Sequence, residues 1–273
     1  MSKSFYPRAG VPGDAKRLEF QIDALREEIE DELEILKPTP GMHVLDAGCG
    51  TGGFARIIAP RVSPSTVKAV DLERSYISVA RRLAKNEGIS NVDFSVQDIS
   101  RLRFPAASFD LTYCRLALPF MPDKLATMKE MKRVTKTGGR IAVSNFAGFF
   151  AFPDISEFMK LGRKVATRRA ARVMGKPKNR KNSDLLEEEL MRRTGLRDVK
   201  VLPLHSIATQ SDPVKLRRML LPSIQYVEMD REEILKAGTT LQRYDRIMGQ
   251  VNTWLKSPRA FWMGLMLLTV GTV

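Results

Sequence analysis

The residues best placed to do chemistry lie in Val44-Leu-Asp-Ala-Gly-Cys-Gly-Thr-Gly-Gly53. Gly48, Gly50 and Gly52 alternate, which lets the backbone turn tightly and approach a ligand with no Cβ in the way. Gly48-x-Gly50-x-x-Gly53 also fits the dinucleotide fingerprint literally. Further along, Asp71 ends a short apolar run, where a carboxylate can accept from both hydroxyls of a ribose. A dinucleotide and other adenosine cofactors both want that acid, so the pair of signals indicates an adenosine ligand without choosing between them. Two histidines and two cysteines complete the reactive inventory. His43 falls at the start of the first strand and is read as structural. His205 falls just past the sixth and is the candidate base, against a plain surface or packing role.

These residues need a scaffold that brings strand ends together. His43–Asp46, Val67–Val70, Val92–Val96, Phe109–Cys114 and Arg140–Asn145 read as strands, separated by helical stretches at Phe54–Pro60, Ser75–Glu87 and Pro122–Val134. Single helices between strands imply right-handed parallel crossovers and a doubly wound sheet. Ligands of such sheets bind beyond the carboxyl ends of the strands, which directs attention to Asp46, Asp71, Asp98, Cys114 and Asn145. Ahead of the sheet, Leu18, Ile22, Leu25, Ile29, Leu33 and Leu36 form one amphipathic stripe, read as one helix. Past residue 150 the alternation breaks. Helix starts of the form Asp-x-x-Glu occur at Asp154, Asp184 and Asp230. Val199–Leu204 reads as a sixth strand, Pro213–Leu255 as helical, and Ala260–Val270 as a last strand.

What decides between cofactors is the wider set: Asp46 two residues before the first glycine, Gln97-Asp98-Ile99, Phe109-Asp110 and Gly138-Gly139-Arg140. With these, Gly41–Val143 resembles the class I S-adenosylmethionine-dependent methyltransferases, particularly the small-molecule group that includes the ubiquinone/menaquinone C-methyltransferases. The resemblance implies a Rossmann-like α/β fold with seven strands, the last antiparallel beside the fifth, and helical lid insertions after strands five and six. It implies S-adenosylmethionine as cofactor and S-adenosylhomocysteine as product. Asp46, Gly48, Gly50 and Gly52 would hold the methionine end and Asp71 the ribose. Leu72, Asp98 and Ile99 would meet adenine, and Cys114 and Arg115 would line the floor. The sequence departs from the family in one important place: many relatives carry a His after strand four, where this chain has Phe120. Neither a metal nor a covalent intermediate is implied. Cys114 lacks the Pro-Cys context of a nucleophile.

On this reading residues 1–40 form an N-terminal cap, 41–148 the cofactor core, 149–182 a basic lid segment, 183–205 a core helix and strand six, 206–258 a helical cap, and 259–273 the last strand. Phe120, Phe146, Phe149, Phe150, Tyr226 and Trp254 are candidate substrate-lining residues, and an aromatic lid favours a small hydrophobic or aromatic substrate.

Composition narrows the partners. The 273 residues are 43% apolar and 28% charged, an ordinary globular balance, with 45 Lys+Arg against 31 Asp+Glu. No apolar stretch reaches the about 20 residues of a membrane span, and Met1–Pro7 has no secretory leader pattern. A cytoplasmic enzyme is the expectation. The net charge of +14 is concentrated late: Lys160–Lys181 contains ten basic residues and no acid. That run is a solvated face, a patch for an anionic membrane surface or anionic substrate, or a nucleic-acid contact. The rivals are therefore an RNA or tRNA methyltransferase gripping phosphates with residues 160–181, and a non-catalytic module on the same fold. Oligomeric state is not readable.

Overall fold

The computed structural model describes residues 6–174 and 185–273. The elements run α1 (Asp14–Ala24), α2 (Arg26–Leu36), β1 (Val44–Ala47), α3 (Gly53–Val62), β2 (Val67–Asp71), α4 (Arg74–Asn86), β3 (Val92–Val96) and β4 (Phe109–Arg115). After a single 3-10 turn at Leu118–Phe120 come α5 (Lys124–Val134), β5 (Thr135–Phe152), α6 (Ser156–Met174), α7 (Glu187–Arg193), β6 (Arg197–Thr209), α8 (Pro213–Met229), α9 (Arg231–Lys236), α10 (Leu241–Trp254) and β7 (Phe261–Thr272).

The seven strands form one sheet in the order β3-β2-β1-β4-β5-β7-β6. The first five pair in parallel, and β7 lies antiparallel between β5 and β6. This is the doubly wound arrangement that the strand and helix alternation implies. Successive side chains on a strand point to opposite faces. Accordingly Val44, Tyr113 and Ala142 pack with α2, α3 and α4 on one side. Leu45, Cys114, Ile141 and Val143 pack with α5 and α7 on the other. A third core joins Phe158, Leu161 and Val165 of α6 to Leu216, Leu220 and Val227 of α8 and to Ile247, Val251 and Trp254 of α10. The helical segments after β5 and β6 thus share one apolar interior and form a single cap.

Three local expectations need correction, and a fourth lies outside the described residues. The N-terminal stripe is two helices, broken at Leu25 (φ −101°, ψ 23°). The break lets Ile29, Leu33 and Leu36 enter the sheet core while Leu18 and Ile22 sit against the glycine loop; one straight helix could not face both. Strand five continues seven residues past Asn145, because β7 supplies hydrogen-bonding partners as far as Phe152 opposite Phe261. Asp230 is not a side-chain cap of α9; its carboxylate is engaged by two arginines. Asp184, with Lys176, Lys178, Arg180 and Lys181 of the basic run, lies outside the described residues. Among those described, no helix is long and apolar enough to cross a membrane.

Candidate active site

At the carboxyl ends of β1, β2 and β4 the chain encloses a cavity of about 890 Å³, toward the upper end of the roughly 300–1,000 Å³ usual for small-molecule sites. Its base is the glycine loop, its far wall is α6 and α8, and its roof is the segment from Tyr6 into α1. The loop is held from behind: Gly48 and Cys49 donate to the Val70 carbonyl at 2.8 and 2.9 Å. Gly50 donates to Asp71 Oδ2 at 2.9 Å. Gly48, Gly50 and Gly52 all have positive φ (84°, 53° and 77°), so the alternation of glycines reflects backbone need.

Gly52 serves the loop differently from its neighbours. It does not border the cavity; a Cβ there would lie 2.5 Å from the Phe94 ring. Gly52→Val should therefore destabilise the protein by about 3 kcal/mol or more through overpacking and a left-handed backbone. A melting temperature within a degree of wild type would show that the loop is not so constrained.

Three acids face the cavity. Asp46 is 2% exposed, and its Oδ2 has no hydrogen-bond partner. Burial, with Asp71 nearby, pushes its carboxyl up to about 7, only partly opposed by the Ala55 N–H and Arg115. Burial also raises Asp71, although the N–H groups of Glu73 and Gly50 favour its charged form. Asp98 accepts from the Ser100 backbone N–H at 2.9 Å and from its hydroxyl at 2.7 Å. Leu72 and Ile99 line the same end.

Arg115 borders the cavity from below. Its Nε lies 3.3 Å from Glu32 Oε2, and Glu32 also accepts from Ser144 Oγ at 2.5 Å and from the Tyr113 hydroxyl. The Arg115 Nη2 has no partner, and neither does Oδ1 of Asn145, whose Nδ2 donates to Glu187 at 2.6 Å. Both side chains are 8% exposed. Buried polar atoms left open are costly, and these two, like the Asp46 oxygen, belong to residues that border the cavity. Between them Leu116 holds a positive φ of 55°, a conformation with a real steric cost for a non-glycine residue.

Of the expected aromatic residues, Phe120, Phe146, Phe149 and Tyr226 line the cavity. Five other candidate residues sit elsewhere. Cys114 turns toward α5 and α7, and burial pushes its thiol up to about 12. Gly52 packs on Phe94. Phe150 alternates away from Phe149 on β5 and meets Phe261. Trp254 is buried in the cap core, its Nε1 donating to the Pro153 carbonyl at 2.8 Å. His205 lies within β6 opposite Leu265, exposed and away from the cavity. It is not positioned to act as a base.

The sequence gives no warning of the roof. Arg8, 1% exposed, pairs with Asp14 at 2.6 Å and with Asp230 at 2.7 Å. Arg17 joins Asp14 at 2.7 Å, and Arg169 of α6 reaches Asp230 at 2.6 Å. Tyr76 donates to Asp14 at 2.7 Å, and the Arg8 guanidinium lies 4.3 Å from the centre of the Tyr226 ring. This buried network binds the N-terminal segment, α4, α6 and the α8–α9 junction together over the cavity.

A family model described as a methyltransferase domain matches residues 38–190. The chain belongs to this methyltransferase family. Its class I fold agrees with the resemblance drawn from the glycine loop and strand ends. Among similar proteins, methyltransferase GfsG of Streptomyces halstedii is 33% identical over 135 residues, covering 49% of this chain and 47% of that protein. The ubiquinone/menaquinone biosynthesis C-methyltransferase UbiE of Bordetella parapertussis is 38% identical over 109 residues, covering 40% and 42%. The chain spans about half the length of the curated relatives it matches. The phosphoethanolamine N-methyltransferase 2 of Haemonchus contortus, solved in complex with S-adenosyl-L-methionine, has the same fold: TM-score 0.56, 21% identity, 99% of this chain and 60% of that one.

Proposed function

We propose that this methyltransferase-family chain uses S-adenosylmethionine to methylate a small substrate with an apolar or aromatic body. The observation that carries this reading is the cavity, bordered at one end by Asp46, which has an orphaned buried carboxylate oxygen, and by a Cβ-free loop, with Phe120, Phe146, Phe149 and Tyr226 in its walls. The donor set fits the cofactor: Asp46 offers an unpaired anion to a cationic methionine end, and a Cβ on Gly48 would lie 2.5 Å from Ala117. Asp71 would accept from the ribose hydroxyls, with Leu72, Asp98 and Ile99 around adenine. When bound, the cofactor supplies an electrophilic methyl on sulfur.

The chain's own contribution is alignment and exclusion of water. Orientation alone can supply about 7–11 kcal/mol when the geometry is right, and the apolar wall of α6 and α8 keeps the reacting centre dry. With Phe120 where relatives often have His, and with His205 distant, no histidine serves as base. Arg115 and Asn145 border the floor, each with a polar atom that has no protein partner, and are suited to hold a polar group of the substrate.

Asp46 gives the test. Its neutral form prevails below pH 7 and its anion above, so affinity for S-adenosylhomocysteine should rise about tenfold from roughly pH 6 to 8. Asp46→Asn should flatten that rise. In the ligand-free protein the sign is opposite: the folded state retains a proton that the unfolded chain releases near pH 4. Stability attributable to Asp46 therefore falls as pH climbs from about 4 through 7, and Asp46→Asn should melt higher than wild type at pH 8. Calorimetry with S-adenosylhomocysteine checks the binding limb; no binding at any pH would remove the proposed function.

A further inference from the structure

We infer that the acceptor substrate carries an anionic group, a carboxylate, sulfate or phosphate, which Lys160 and Arg163 receive at the rim of the cavity. The inference rests on the methyltransferase reading and adds the charge of the substrate to it. Helix α6 has two stripes. Phe158, Leu161 and Val165 are buried in the cap core, whereas Lys160, Arg163, Lys164 and Thr167 follow at helical spacing along another side. Lys160, Arg163 and Thr167 border the main cavity and also an adjoining recess of about 480 Å³, which Lys164 and Arg168 complete.

The cations of α6 divide by partner. Arg169 pairs with Asp230 and Arg172 with Glu233. Glu157, one turn before Lys160, is committed to Arg243 at 2.9 Å and Arg246 at 3.4 Å. Among the described residues, no carboxylate forms an ion pair with Lys160, Arg163, Lys164 or Arg168. Like charges three and four residues apart on a helix repel; an anion at the rim would relieve that repulsion. The cavity is thus polarised, with Asp46, Asp71 and Asp98 at the loop end and cations at the α6 end. The two ends suit ligands of opposite charge, a cationic cofactor and an anionic acceptor.

The probes are 2-naphthoate and its neutral counterpart 2-naphthamide, titrated calorimetrically into protein saturated with S-adenosylhomocysteine. Naphthoate should bind about tenfold tighter, and salt raised from about 0.05 to about 0.5 M should reduce the preference. Lys160→Gln/Arg163→Gln should remove the preference while leaving naphthamide affinity within about twofold. Both positions are exposed, so the double variant should fold. Equal affinity for the two probes in wild type, or a preference surviving in the double variant, overturns the inference. Vesicles rich in phosphatidylglycerol form the second arm: charge-dependent vesicle binding without a naphthoate preference assigns the cations to a membrane surface and also overturns it. Loss of S-adenosylhomocysteine binding with the naphthoate preference intact would instead defeat the methyltransferase reading and leave the anion site standing.

Discussion

Replacing Asp71 with alanine is expected to weaken S-adenosylhomocysteine binding by about 10²–10³-fold, the largest effect of any single change at the proposed cofactor end. A charged acceptor taking two hydroxyl hydrogen bonds loses roughly 1.5–3 kcal/mol for each. The same carboxylate also receives the Gly50 and Glu73 N–H groups at 2.9 and 2.8 Å, so alanine leaves both donors without their acceptor. A lower melting temperature, by several degrees, should accompany the lost affinity. Asp71→Asn keeps the volume but turns an NH2 toward one of those N–H donors, and it should retain little more affinity than alanine. Calorimetry on folded protein separates the two effects. Affinity within threefold of wild type in Asp71→Ala would refute the assigned ribose contact.

Asp230→Ala should have the largest effect on stability, about 3–5 kcal/mol. It strands Arg8 and Arg169, one fully and the other largely buried, without their counter-charge, the situation in which breaking a buried pair is most costly. The expected fall in melting temperature is on the order of 10 °C. Asp230→Asn, which keeps an acceptor but not the charge, should fall between. Arg8→Met/Asp230→Ala should lose less than the two single changes summed, because the partners share one network. Additive losses would show that Arg8 and Asp230 do not act together. Because Arg8, Arg17 and Tyr226 border the cavity, the folded fraction of Asp230→Ala should also bind 2-naphthamide more weakly.

The parts of this molecule that are legible from sequence have local causes. The strands announce themselves through short apolar runs, and the loop through glycines at the three positions where φ is positive. Asp46 and Asp71 could be placed because they end the runs that precede them. Phe146 to Phe152, by contrast, is a phenylalanine-rich stretch whose extended conformation depends on β7, more than a hundred residues away. Nothing local distinguishes such a strand from a loop, so from sequence Phe149 and Phe150 read as one wall although their faces are opposite. Trp254 reads as well as a substrate contact as it does as cap core, because an amphipathic helix does not declare which neighbour it will meet. Arg8 and Asp230 are 222 positions apart; an ionic network of that span leaves no trace in spacing or composition. The break at Leu25 is similar: the stripe is continuous, and only the competing demands of the sheet and the loop divide it.

The common interior shared by α6, α8 and α10 has a bearing on engineering. Anyone wishing to graft this chain's proposed substrate pocket onto a relative would have to transplant both stretches that follow β5 and β6, together with the distal halves of the strands beneath them. Either piece moved alone would arrive with a greasy flank and nothing to press it against.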